Sequence, residues 1–266
     1  MTYEKIRLEI KDSVGVITFA TPQKYNALSH RAYEEILDAL DSIKENEEIG
    51  AVLFCGEGKA FCSGFDLGES AENTDPWPHW ERFLHQREMM LKIYNFPKPT
   101  VAAVQGYCLG GGVEFTSLVD LIIAADNAKF GDPGLRYSNV PAPTLLWLAG
   151  TRRAKQYMLM AENFDAREAL RIGYINRVVP LDELYDTAFH TAKRLAAMPM
   201  ETMEVTKRLI NKSLDGMGFK AYGDWGWDTF HIAKISPTKL GVEFDTIAKE
   251  KGMKEAFKWS NARYEE

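Results

Sequence analysis

The residues of this chain best suited to chemistry lie in two glycine-rich stretches. One is Gln105-Gly106-Tyr107-Cys108-Leu109-Gly110-Gly111-Gly112-Val113-Glu114, where three glycines run together and a carboxylate follows two residues later. Glycine gives up side-chain packing and loses more backbone freedom on folding than any other residue. Three in a row therefore point to a backbone that something approaches closely. The stretch follows the apolar run Thr100-Val101-Ala102-Ala103-Val104, which reads as a buried strand. A strand turning into a helix here leaves the first N–H groups of the helix unpaired and directed outward, where they can stabilise an anion. A negative charge developing on a carbonyl oxygen is such an anion. A tight turn between packed backbones would use the same glycines without any chemistry. The second stretch, Lys59-Ala60-Phe61-Cys62-Ser63-Gly64-Phe65-Asp66-Leu67, also follows a short apolar run, Ala51–Cys55. Two strand-exit loops at one sheet edge can each give one N–H to a shared oxyanion, which favours thioester or ketone enolates. Glu114, in the first helical turn beside that point, could shuttle a proton or orient water. Its plain alternative is a first-turn glutamate that favours the helix dipole.

The elements that must hold these loops are legible in outline. Residues 3–20 read as a hairpin: Ile6, Leu8 and Ile10 alternate with charges, Asp12–Gly15 turns, and Val16–Phe19 returns. Ser29 is placed to cap an amphipathic helix carrying Tyr33, Ile36, Leu37, Leu40 and Ile43. Strands follow at 51–55, 100–104 and 121–125, with helical patterns at the end of 69–95 and through Leu118. This β-α-β-α-β alternation predicts an α/β fold with crossover connections. Beyond Gly131-Asp132-Pro133-Gly134 the pattern turns mostly helical. Asp165-Ala166-Arg167-Glu168 has the form of a capping box, Gly173 ends that helix, 174–179 is strand-like, and 182–215 reads as long amphipathic helices. The boundaries expected are a core over residues 1–200 and a helical C-terminal subdomain over 201–266.

Composition narrows the function classes. The net charge of -6, with no Lys/Arg cluster, argues against a nucleic-acid surface. The three cysteines, Cys55, Cys62 and Cys108, are odd in number and lie near apolar runs, as expected of buried free thiols in a reducing compartment. They lack metal-ligand spacing, so no metal is expected. No apolar run reaches the roughly 18 residues of a membrane span, and the charged N-terminus shows no signal peptide. A cytoplasmic enzyme is the expectation.

The chain resembles the crotonase (enoyl-CoA hydratase/isomerase) superfamily over nearly its whole length. The resemblance is carried by the opening hairpin, Lys24-Tyr25-Asn26-Ala27-Leu28, Phe61–Leu67, Gly106–Glu114, Phe130-Gly131-Asp132-Pro133 and Ala166–Gly173. It implies an α/β spiral of β-β-α turns with a C-terminal helical region that mediates trimers or dimers of trimers. It also implies an acyl-CoA thioester substrate, with coenzyme A entering as part of that substrate rather than as a separate cofactor. Carried over, the oxyanion hole would be the N–H groups of Phe65 and Gly111, with Glu114 as acid/base. Lys24 would face the CoA phosphates, Ser63, Phe65, Leu67 and Gly68 would line the adenine side, and Phe257 and Lys258 would reach a neighbour's CoA.

One departure from the family pattern bears on the reaction. Where hydratases carry a second glutamate, this chain has Asp132-Pro133-Gly134, so the acid is lost at Gly134. Two-carboxylate hydration needs one group to position water and another to deliver its proton. A single carboxylate suffices to move a proton between C2 and C4. Asp132, Tyr137, His79 and His85 are the candidates to replace the missing acid, each with an ordinary structural alternative. Trp77, Trp80, Trp147, Trp225 and Trp227 suggest a bulky or ring-bearing acyl group, although packing between subunits would also use them. Three reaction readings stay open: hydration or isomerisation of an enoyl-CoA, C–C hydrolysis or decarboxylation on the same fold, and acyl-CoA binding without turnover.

Overall fold

The computed structural model describes residues 3–68, 76–140, 144–236 and 238–264. The chain opens with the expected hairpin: β1 (Ile6–Lys11) runs antiparallel to β2 (Val14–Phe19), with Ile6 opposite Phe19 and Lys11 opposite Val14. The turn is tighter than the sequence suggests. Asp12 and Ser13 alone take positive φ, so β2 begins at Val14 rather than Val16. Short polar residues tolerate that left-handed region better than most. Helix α1 (His30–Glu45) starts where Ser29 accepts the Ala32 N–H at 3.2 Å, and it buries Tyr33, Ile36, Leu40 and Ile43 against the sheet.

Three times the chain leaves a large sheet for a small one. Strand β3 (Ala51–Gly56) is followed by β4 (Ala60–Cys62), β5 (Thr100–Val104) by β6 (Tyr107–Leu109), and β7 (Leu121–Ala125) by β8 (Lys129–Gly131). With two later strands, β9 (Asn163–Asp165) and β10 (Arg177–Val179), the large sheet has the order β1-β2-β3-β5-β7-β10 and is parallel from β2 onward, and the small one has the order β4-β6-β8-β9. Helix α2 (Pro76–Tyr94) makes the crossover from β4 to β5, and the six-residue α3 (Gly111–Thr116) that from β6 to β7. This is a repeating β-β-α turn. The central strands β3, β5 and β7 of the large sheet are buried on both faces, which is why they read as continuous apolar runs. One face packs on α1 and α2 with Phe19, Phe54, Phe61 and Phe115 in edge-to-face contact. The other packs on a C-terminal helix through Leu184, Ala188, Phe189 and Ala192.

The second half is mostly helical. After α4 (Leu145–Ala149) and α5 (Thr151–Leu159) come β9 (Asn163–Asp165), α6 (Ala166–Arg171) and β10 (Arg177–Val179). Asp165 caps α6 by accepting the Glu168 N–H at 2.8 Å. Glu168 does not return the bond as a capping box would. Its carboxylate is taken by Arg171 and by Tyr157 at 2.6 Å, which hold it down at a pKa of about 2. The strand expected over 174–179 is only its last three residues, because Tyr174 and Ile175 turn into the core instead. Helices α7 (Leu184–Ala196), α8 (Met200–Gly216), α9 (Phe219–Ile235), α10 (Lys239–Lys251) and α11 (Met253–Asn261) complete the chain. Among the described residues no helix is long and apolar enough to cross a membrane.

Candidate active site

The two glycine-rich loops meet as neighbours because the strands before them do: β4 pairs with β6 in parallel, Ala60 opposite Tyr107 and Cys62 opposite Cys108. The contact is close. A Cβ built on Gly64 would lie 2.9 Å from the Leu109 carbonyl oxygen and 3.1 Å from the Gly111 nitrogen. Gly110, with φ 50° and ψ −118°, turns the chain from β6 into α3, a conformation that side chains resist. Gly111 then sits under the Phe65 ring, so that a Cβ there would lie 2.8 Å from its edge. The glycine run is thus required by sterics on both sides.

Two backbone donors are left over. Leu28 donates to Gly64 O at 2.8 Å and Asp66 donates to Leu28 O at 3.0 Å, a bridge that turns the Phe65 N–H away from Leu28. Among the described residues, neither the Phe65 N–H nor the Gly111 N–H has an acceptor. Both residues line a cavity of about 670 Å³. An unpaired donor at such a site costs folding free energy, and an arriving oxyanion would relieve it.

Glu114 lines the same cavity one turn into α3 and is 4% exposed. Its Oε1 accepts the indole N–H of Trp227, from helix α9, at 2.6 Å. Burial lifts its carboxyl from the ordinary 4.5 to about 7; the Trp227 bond opposes that rise, and the nearby charge of Asp132 adds to it. The group is therefore poised to lose and regain a proton near neutrality. The cysteines are no rival nucleophiles. Cys55, Cys62 and Cys108 are buried and unlinked, and burial drives their thiols upward, to about 12 for Cys55 and Cys62.

Among the candidates for a second acid, Asp132 and Tyr137 line the cavity. Asp132 Oδ1 accepts the Gly134 N–H at 3.1 Å, capping the short 3-10 turn Pro133–Tyr137. Tyr137 packs between Phe244 and Phe257, and burial with the Asp132 charge pushes its phenol well up. His85 lies outside the cavity, on the exposed side of α2 against His30 and Glu88. The His79 side chain lies outside the described residues. Gly134 offers little room for a larger residue: a Cβ there would stand 3.0 Å from Asp132 Oδ1 and 3.3 Å from Asn139.

Of the residues assigned to the CoA end, Lys24, Ser63, Leu67, Gly68 and Phe257 line the cavity, and Lys258 does not. Lys24 forms an ion pair with Asp66 at 2.7 Å, with most of its side chain in solvent. Phe257 lines the cavity of its own chain, packed on Tyr137. Sequence reasoning missed the contact of Trp227 with Glu114. The indole was visible as an aromatic of the C-terminal region, but no local pattern ties it to a carboxylate 113 residues away.

The chain is similar to known proteins over most of its length. Residues 9–224 match the family model described as enoyl-CoA hydratase/isomerase. A probable enoyl-CoA hydratase of Mycobacterium tuberculosis is 34% identical over 219 residues, covering 81% of this chain and 84% of that protein. A probable mitochondrial enoyl-CoA hydratase of Dictyostelium discoideum is 33% identical over 211 residues, covering 78% and 75%. Among solved structures, an enoyl-CoA hydratase/isomerase from Xanthobacter autotrophicus Py2 superposes with a TM-score of 0.94 at 31% identity, covering 98% of this chain and 99% of that one.

Proposed function

The chain belongs to the enoyl-CoA hydratase/isomerase family of the crotonase superfamily, and from that premise we propose that it moves a proton on an acyl-CoA thioester. In this reading the thioester oxygen accepts hydrogen bonds from the Phe65 and Gly111 N–H groups. Charge that develops on that oxygen as an enolate forms meets donors already in place, with no reorganisation at the moment of reaction. Glu114, in its ionised form, removes a proton from C2 of a β,γ-unsaturated thioester. The resulting carboxylic acid then returns it to C4, giving the α,β-unsaturated product. The observation that carries the reading is the meeting of two acceptor-free N–H groups with one buried carboxyl titrating at about 7.

Double-bond isomerisation is favoured over hydration because it needs only the one carboxylate, and Gly134 leaves no acid at the second position. A specific observation supports hydration as the second reading. Asp132 lines the cavity and its charge is felt by Glu114, so it could deliver the second proton. The two are separated by assaying Glu114→Gln and Asp132→Asn on β,γ- and α,β-enoyl-CoA esters. Isomerisation requires Glu114 alone; hydration requires both. Full activity in Glu114→Gln on every ester refutes the role given to Glu114.

At the other end of the cavity, Ser63, Leu67 and Gly68 would hold the adenine side of CoA, with Lys24 turning from Asp66 to the phosphates. Lys258 would serve only a CoA bound in a neighbouring subunit. Assembly into trimers through the C-terminal helices is supported by the exposed stripe Val205, Leu209 and Ile210 on α8 and by exposed Trp225 on α9.

A further inference from the structure

We propose that Trp227, on the C-terminal helix α9, is the positioning residue for Glu114: its indole N–H holds Oε1, so that Oε2 is the oxygen left to exchange a proton with the substrate. The contact is short, at 2.6 Å, and joins a buried carboxyl to a half-buried indole. Indole N–H can only donate, so it can bind a carboxylate oxygen but takes no part in the proton transfer itself. A carboxyl with free rotation about its last bond would offer either oxygen; one whose Oε1 is bonded presents a fixed edge.

The indole is itself fixed from behind. The Arg87 guanidinium, on α2, lies over the Trp227 ring at 5.6 Å and forms an ion pair with Asp224, one turn earlier on α9. Phe83 stacks on Phe230 with ring centroids 5.3 Å apart, and Trp80 meets His231 at 4.8 Å. Four contacts thus lock α9 to α2, and the locked helix carries one functional donor into the cavity. The C-terminal helices are then part of the acid/base machinery, beyond any role in assembly.

The donor also sets when Glu114 is ionised. A hydrogen bond to a carboxylate favours its charged form, against the effect of burial. The charged or titratable groups that line the cavity with Glu114 are Asp132, Tyr137, Arg136, His30, Tyr25, Tyr33 and the Lys24–Asp66 pair; Tyr94 and Lys220 line a small chamber behind it, and the Arg87–Asp224 pair lies beyond the indole. Of these, Arg87 touches the Trp227 ring, and a replacement that keeps the ring keeps that contact.

The catalytic side of this inference rests on Glu114 being the acid/base, so the test has one readout that needs no turnover. Trp227 is replaced by β-(3-benzothienyl)alanine, which keeps the ring size and loses the N–H, and in a second variant by Phe. The Glu114 carboxyl band is followed by infrared spectroscopy against pH in the ligand-free protein, with Glu114→Gln identifying the band. Loss of a charge-assisted bond is expected to raise the midpoint by about one pH unit. The kcat–pH profile should move by the same amount, with KM little changed. That means about a fivefold loss at pH 7 that narrows by pH 9, which general structural damage would not produce. An unmoved carboxyl midpoint in the benzothienyl protein overturns the proposal. A moved midpoint in a protein whose Glu114→Gln variant keeps full turnover upholds the contact and overturns its catalytic use.

Discussion

Glu114→Gln offers a test of the site that requires no substrate. Gln is the neutral match of a protonated glutamate and its amide oxygen can still accept the Trp227 N–H, so the packing is retained. The folded-state pKa of about 7 lies above the ordinary 4.5. The folded state therefore binds this proton more tightly than the unfolded chain, and stability falls as pH rises between those values. The gap of about 2.5 in pKa corresponds to about 3 kcal/mol at 1.36 kcal/mol per unit. Wild type and Glu114→Gln should be of nearly equal stability below pH 4.5. The variant should gain on wild type by about 1 kcal/mol at pH 5 and by about 3 kcal/mol at pH 8. For a chain of this size that is about 6 °C or more in Tm. The assay is thermal and urea unfolding of both proteins from pH 5 to 8, at one protein concentration because assembly would shift both curves. Parallel stability curves across that range would refute the reasoning, since they would mean that Glu114 titrates like a solvated carboxylate. A gain in stability with a loss of turnover is the signature of a group held in an unfavourable state for use.

Further outcomes follow from the same geometry. Gly111→Ala puts a methyl 2.8 Å from the Phe65 ring; displacing that loop should lower kcat by about 100-fold, the loss found when one oxyanion donor is removed, as measured on the active enoyl-CoA ester. Lys24→Ala should raise KM for the CoA ester without changing kcat, and should leave the melting curve nearly unchanged, because an ion pair this exposed contributes under about 1 kcal/mol. Asp120→Ala strips the buried Lys207 ammonium of its 2.7 Å partner and frees the Thr100 N–H and hydroxyl at the start of β5. A cost of about 3 kcal/mol in urea unfolding is expected, without a change in the pH profile of turnover.

Much of the fold could be read from local pattern. The hairpin, the Ser29 cap, the three buried strands and the Asp165 cap each depend on residues within a few positions of one another. The readings that failed were at edges. Strand β2 starts earlier because two short polar residues suffice for the turn, and 174–179 is mostly not strand because Tyr174 and Ile175 find more apolar contact inside the core.

For the site, residue order alone gave the glycine run and the carboxylate two residues beyond it, because each is a statement about residue type at a fixed local spacing, while the lack of an acid at Gly134 came from the family resemblance. Which groups face Glu114 follows from the packing of whole elements. Parallel pairing of β4 with β6 brings Gly64 against Gly111 and leaves the Phe65 and Gly111 N–H groups without acceptors among the described residues. The 3-10 turn aims Asp132 into the cavity while His85 stays outside it. Packing of α9 on α2 delivers Trp227 to Glu114 across 113 residues. Long-range hydrogen bonds and burial depend on how whole elements dock. Periodicity and propensity report only on each element's own faces, so the titration of Glu114 belongs to the fold rather than to its motif.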